Sequence, residues 1–192
     1  MKNLIILVCA LLISACASTT PERQDFLISA ERQTARNEAK FGALQVNELR
    51  SNAPYRDLAL IYKESPQRFV ADPYHGFLAA PANQLTQQTR AWLAKSGLFS
   101  RVYPTGSSQI APWQLEGELL AMYIDVSAPK TPKVVIQAQY LLSYGNKSAN
   151  FLLTAEQSIT DPGPESAAQG FSTALAKLLT QLEQELTSSN LD

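Results

Sequence analysis

Between Lys133 and Ile159 the chain alternates apolar and polar residues almost without a break, and this pattern restricts the fold more than any other. Val134, Ile136, Ala138, Tyr140, Leu142 and Tyr144 fall on one side of an extended chain, with Gln137, Gln139 and Ser143 on the other. The run Gly145-Asn146-Lys147-Ser148 turns the chain, and Phe151, Leu153, Ala155 and Ile159 then alternate against Thr154, Glu156, Ser158 and Thr160. Successive strand residues point to opposite faces, so this spacing predicts a long antiparallel hairpin with one apolar face. Such a face needs a cover.

Two helices are available to supply it. Over Pro81 to Ser96, Leu85, Thr89, Trp92, Leu93 and Ser96 share one helical face, and Gly97 follows where a left-handed cap is expected. Phe171, Leu175, Leu178, Leu179, Leu182 and Leu186 form the apolar stripe of a closing helix, with Pro164 suited to its first turn. The other apolar pieces read as strands: Phe26 to Ile28, Phe41 to Leu49, a hairpin over 58–72, Phe99 to Tyr103, and Trp113 to Val126. In the last, apolar residues occupy odd positions up to Leu119 and even positions from Leu120, which predicts a bulge or strong twist between them. The charged stretch Glu31 to Lys40 reads as a loop or a solvated helical turn. Strands, helix, strands, helix predicts a single α+β domain: a mostly antiparallel twisted sheet with two helices packed on one face.

The N-terminus carries a different message. Leu4 to Ile13 is apolar, follows Lys2, and is much shorter than the ~20 residues of a spanning helix. Leu12-Ile13-Ser14-Ala15-Cys16 closes it with small residues and a cysteine, which resembles the lipobox of bacterial lipoprotein precursors. The expected organisation is a signal peptide over 1–15, a lipidated Cys16 with a polar tether over 16–24, and one folded domain over 25–192. Two acyl chains already hold a protein stably on a bilayer. Ala17 stands where an Asp tends to retain enterobacterial lipoproteins in the inner membrane, so the expected address is the periplasmic side of the outer membrane. Cys9 would leave with the leader and Cys16 would carry lipid, so the domain must hold by burial alone.

Little in the chain points to chemistry. Lysine and arginine total 16 against 17 acidic residues, with no basic cluster to suggest nucleic acid. The single histidine, His75, lacks the partners that a triad or zinc site needs at set spacings. Glu116 and Glu118 lie two apart on one strand, whereas the carboxylates of a glycosidase face each other across a cleft. No phosphate-binding glycine loop and no nucleophile elbow occurs. The expectation is a protein that is not an enzyme and holds no cofactor or metal beyond the covalent lipid on Cys16.

The stretch Ile61 to Phe99 is more specific. Ile61-Tyr62-Lys63, Tyr74-His75, Ala80-Pro81 and Leu93-Ala94-Lys95-Ser96-Gly97-Leu98-Phe99 resemble the strand, tyrosine step, proline turn and helix end of the ABC-type transport auxiliary lipoproteins, the PqiC-like family. Trp113-Gln114-Leu115-Glu116-Gly117-Glu118-Leu119 resembles that family's next strand, and Phe171 to Leu186 its closing helix. Lys63 and Phe77 stand where the family carries Arg and Trp. The resemblance implies an accessory or docking subunit, beside an ABC transporter and a mammalian-cell-entry (MCE) domain protein that carries lipids between two membranes. It also implies partner contacts through the Tyr74-to-Phe77 turn, with Tyr74, His75 and Phe77, and through the polar strand faces bearing Glu116, Glu118, Gln137 and Gln139. Self-association stays open, as does the alternative of an envelope assembly or scaffold lipoprotein unrelated to transport.

Overall fold

The computed structural model describes residues 22–33 and 38–189. The expected signal peptide, Cys16 and the tether as far as Pro21 lie outside the described residues. In chain order the strands are β1 (Gln24–Phe26), β2 (Phe41–Val46), β3 (Arg50–Ser51), β4 (Ala59–Ser65), β5 (Arg68–Phe77), β6 (Phe99–Tyr103), β7 (Trp113–Asp125), β8 (Lys133–Tyr144) and β9 (Lys147–Ser158). Helix α1 (Pro81–Ser96) lies between β5 and β6, and α2 (Pro164–Ser188) closes the chain.

Strand β7 is the axis of the sheet. One edge pairs antiparallel with β8 along its whole length, and β8 pairs in the same way with β9. The other edge takes three partners in succession, all parallel: β2 at Trp113 to Leu115, β3 at Glu118 and Leu119, and β4 at Ile124 and Asp125. Beyond these, β6 joins β2 in parallel, β5 joins β4 as an antiparallel hairpin, and β1 lies parallel to β5. The antiparallel ladders thus form one wing, and short parallel additions make the other side mixed. The expected bulge is present: Leu119 pairs with Ala138 but Ala121 pairs with Gln137, so Leu120 is the extra residue. That single insertion keeps Leu115 and Leu119 on the same buried face as Met122 and Ile124.

Both helices cover this face. The stripe of α2 is buried throughout, and Phe171 packs on Phe77 with ring centroids 5.8 Å apart. Thr89 of α1 meets Tyr140 of β8, hydroxyl to hydroxyl at 3.0 Å, in the interior. Burial pushes the Tyr140 hydroxyl up to about 12, against the opposing effect of the Thr89 hydrogen bond. Each apolar side chain of this size contributes ~1.5–3 kcal/mol when fully buried, so the covered face is the main source of stability. Gly97 ends α1 with φ of 79°, a conformation that any side chain would strain. Gly117 of β7 lies beneath Leu49, where a Cβ would meet the leucine Cγ at 2.7 Å. Lys40 caps the far end of α2, donating from Nζ to the carbonyls of Thr187 (2.9 Å) and Ser189 (2.6 Å), where the helix dipole favours a cation.

Three strands differ clearly from the sequence reading at their ends, β5 by running on past Asp72 to Phe77. The first covers Gln24–Phe26 rather than 26–28, because Leu27 and Ile28 leave the sheet to cross the helices. The second stops at Val46, and Arg50–Ser51 resumes the pairing further along β7. The break lets Leu49 turn inward, its N–H donating to Thr86 Oγ1 of α1 at 2.9 Å.

Candidate functional site

The sheet has a second face that no helix covers. Outward residues of β7, β8 and β9 lie in register across it: Glu116 beside Leu141, Glu118 beside Gln139, and Gln137 beside Thr154. The four polar residues that the sequence placed on strand faces are therefore brought together on one surface. Three of them are already in use locally. Gln139 Nε2 donates to Asn150 Oδ1 at 2.9 Å, Gln137 Nε2 to Thr154 Oγ1 at 3.2 Å, and Asn52 Nδ2 to Glu118 Oε1 at 2.6 Å. A shallow hollow of about 110 Å³ between Arg50, Glu116, Glu118 and Gln139 is the concave part of this patch.

Above the bulge the same face changes character. Tyr123 stands edge-on to Phe69 of β5 at 5.6 Å, and the Lys63 ammonium lies 5.3 Å from the Tyr123 ring. Lys63 Nζ also reaches Asp125 Oδ2 at 3.2 Å. Partial burial pushes Asp125 up, but hydrogen bonds from Ser127 and Lys63 outweigh it and leave the carboxylate below its ordinary range. Sequence reasoning missed this cluster, although the phase change at Leu120 was the signal: it turns Tyr123 and Asp125 to the same side as Glu118.

The Tyr74 to Phe77 segment is the end of strand β5, not a turn. Tyr74 is exposed, but Phe77 is 2 % exposed and belongs to the core against Phe171, which removes it from any contact surface. His75 is half-buried, its Nδ1 2.9 Å from Asp72 Oδ2, while Asp72 Oδ1 accepts from the backbone N–H of Tyr74 and of His75. Partial burial raises the Asp72 pKa, and the Tyr74 and His75 hydrogen bonds more than reverse it. This segment has a second role: β1 pairs along it, with Gln24 opposite His75 and Phe26 opposite Phe77. The chain therefore enters the domain here.

From that entry the chain continues as a strap over both helices. Gln84 and Gln88, one turn apart on α1, accept through Oε1 from the N–H groups of Ile28 (2.9 Å) and Ala30 (3.0 Å), as a neighbouring strand would. Arg32 then grips Glu183 of α2 with two bonds, Nε to Oε2 at 2.9 Å and Nη2 to Oε1 at 2.8 Å, and Trp92 Nε1 donates to the same carboxylate at 2.8 Å. The Arg32 side chain is only 3 % exposed. Donating to the Glu183 carboxylate raises the Arg32 pKa despite burial. A paired, bidentate arginine is strongly destabilising to break because one charge is left buried.

Among the described residues no group of three or more His, Cys, Asp or Glu could hold a metal ion, and no helix is long and apolar enough to cross a membrane. A polar cleft of about 340 Å³ beside α1, with Glu48 and Arg90 on its walls, opens to solvent.

No family model matches the chain, and no curated protein matches it in sequence. Solved structures do share its fold. A Xanthomonas campestris protein of the DUF330 family superposes with a TM-score of 0.72 at 14% identity, over 84% of this chain and 95% of its own. An uncharacterized protein gives 0.68 at 14% identity, over 86% and 99%. A hypothetical protein from Chlamydia trachomatis gives 0.51 at 10% identity, over 77% and 99%. Similarity at this level describes the fold and nothing finer.

Proposed function

We propose that this chain is an outer-membrane-anchored periplasmic lipoprotein, the accessory or docking subunit of an MCE-type ABC system that moves lipids between membranes. The observation that carries the reading is how the chain enters the domain. Gln24, eight residues past Cys16, begins a strand that is paired along β5, and the strap behind it is bonded to both helices. A tether of this length reaches ~15 Å as a flexible coil, so an acylated Cys16 would hold the domain close to a bilayer. Any pull on Cys16 would then load a β-ladder and a bidentate ion pair in shear rather than a loose loop. A subunit that braces a conduit against a membrane needs that kind of attachment. The uncovered sheet face is free to meet a partner, and the lipobox and the resemblance over Ile61 to Phe99 supply the compartment and the partner class.

The test combines acyl labelling with affinity purification of the tagged full chain from detergent-solubilised envelopes. The expected result is a labelled wild-type chain that recovers an MCE-domain protein, and a Cys16→Ala chain that loses the label, the outer-membrane fraction and the MCE-domain protein together. Recovery of other envelope proteins alone would replace this reading with the scaffold reading.

A further inference from the structure

We propose that the free edge of β9 pairs with the same edge of a second copy of this chain, antiparallel and two-fold symmetric about Leu152. This inference is independent of the function proposed above. Among the described residues, strand β9 pairs only with β8, through twelve successive residue pairs without a register shift. Sheet edges left open to water are normally blunted by charge, proline, a bulge or short length. The other described edges follow that rule: β1 has three residues, and β6 has five with Arg101 among them. From Ser148 to Ala155, β9 has no charge, no proline and no bulge. Its upper end is guarded by Lys177, whose Nζ donates to the Glu156 carbonyl at 3.2 Å, so the open section is the middle of the strand. On the outer face of this section Leu152 is 62% exposed, between Asn150 and Thr154, which are tied to Gln139 and Gln137.

The occupant follows from self-complementarity. Residues directly opposite in a ladder share a face, so a two-fold axis between identical strands must pass through a residue. Through Leu152 it sets Leu152 against Leu152 and Asn150 against Thr154 on the outer face. On the inner face it sets Phe151 against Leu153 and Ala149 against Ala155. Lys147 meets Gln157 and Glu156 meets Ser148, so no like charges oppose each other. The most exposed apolar residue of the strand becomes the centre of the contact, and the apolar pairs beneath it continue the core across the join.

Single cysteines in the tagged full chain, oxidised in intact envelopes, test this directly. Opposite residues have Cα atoms ~4.5–5.5 Å apart, within disulfide range. Leu152→Cys is expected to give a band at twice the monomer mass that collapses on reduction, while the wild-type chain, which controls for Cys16, does not. Asn150→Cys and Thr154→Cys, co-expressed with different tags, are expected to form a mixed dimer. Neither should cross-link to itself, because like positions sit ~13 Å apart along the ladder. Adding Leu152→Lys, which faces two ammonium groups, should reduce the mixed dimer about tenfold. A Leu152→Cys chain that is folded and abundant yet stays monomeric, or that cross-links to a different protein, overturns the proposal, as does self-linking of Asn150→Cys.

Discussion

The two faces of strand β8 are made from alternate residues of one segment, yet they serve different ends. Inward, Val134, Ile136, Ala138, Tyr140 and Leu142 are buried under α1 and α2. Outward, Gln137 and Gln139 bond across to β9, and Leu141 is exposed. The inner face gains from water exclusion and close packing, which depend on volume. The outer face gains only modest hydrogen bonds that water could replace. One face therefore fixes the fold, and the other is free to vary with what it meets.

Phe171→Ala attacks the covered face where α2 meets Phe77, and is expected to cost about 3–5 kcal/mol in chemical denaturation, from lost transfer energy and a cavity. A loss under 1 kcal/mol would mean that the helix layer is not the core. On strand β5, Asp72→Ala removes a carboxylate that accepts three hydrogen bonds, for about 1–2 kcal/mol at neutral pH. Because the folded pKa of Asp72 is lowered, its contribution is present above the unfolded value of 3.8 and is lost as pH falls through the folded value. The gap between wild type and Asp72→Ala should thus hold at neutral pH and narrow as pH falls below about 4. A gap that does not narrow at all under acid would show that the residue acts through packing instead. The smallest effect belongs to the open face: Glu118→Ala with Gln139→Ala is expected to change stability by less than about 0.5 kcal/mol per site. If the function proposed here holds, that pair should still weaken partner capture. Unchanged capture would move the contact to another surface, with the Tyr123, Phe69 and Lys63 cluster the next to test.

Much of this was legible in advance. Helix α1 and its Gly97 cap, the stripe of α2, the β8–β9 hairpin and the bulge at Leu120 all follow from spacing, because periods of 3.6 and 2 state which residues must be buried together. The four outward polar residues of β7 and β8 were also identifiable, since the same alternation that buries one set exposes the other. Phe77 was not. Local context gave a Pro-Tyr-His-Gly run that looks like a turn, and only Phe171, more than ninety residues later, makes its ring a core element.

The sequence by itself determined the local periods, the helix ends and the hairpin, because each is written in neighbours a few residues apart. Tertiary structure alone decided that three short strands share one edge of β7, that Gln84 and Gln88 hold the strap, and that Arg32 finds Glu183. It alone decided that the middle of β9 is left as an open edge. Those outcomes join residues scores of positions apart, and they are selected by which surfaces remain to be buried once the local elements have formed.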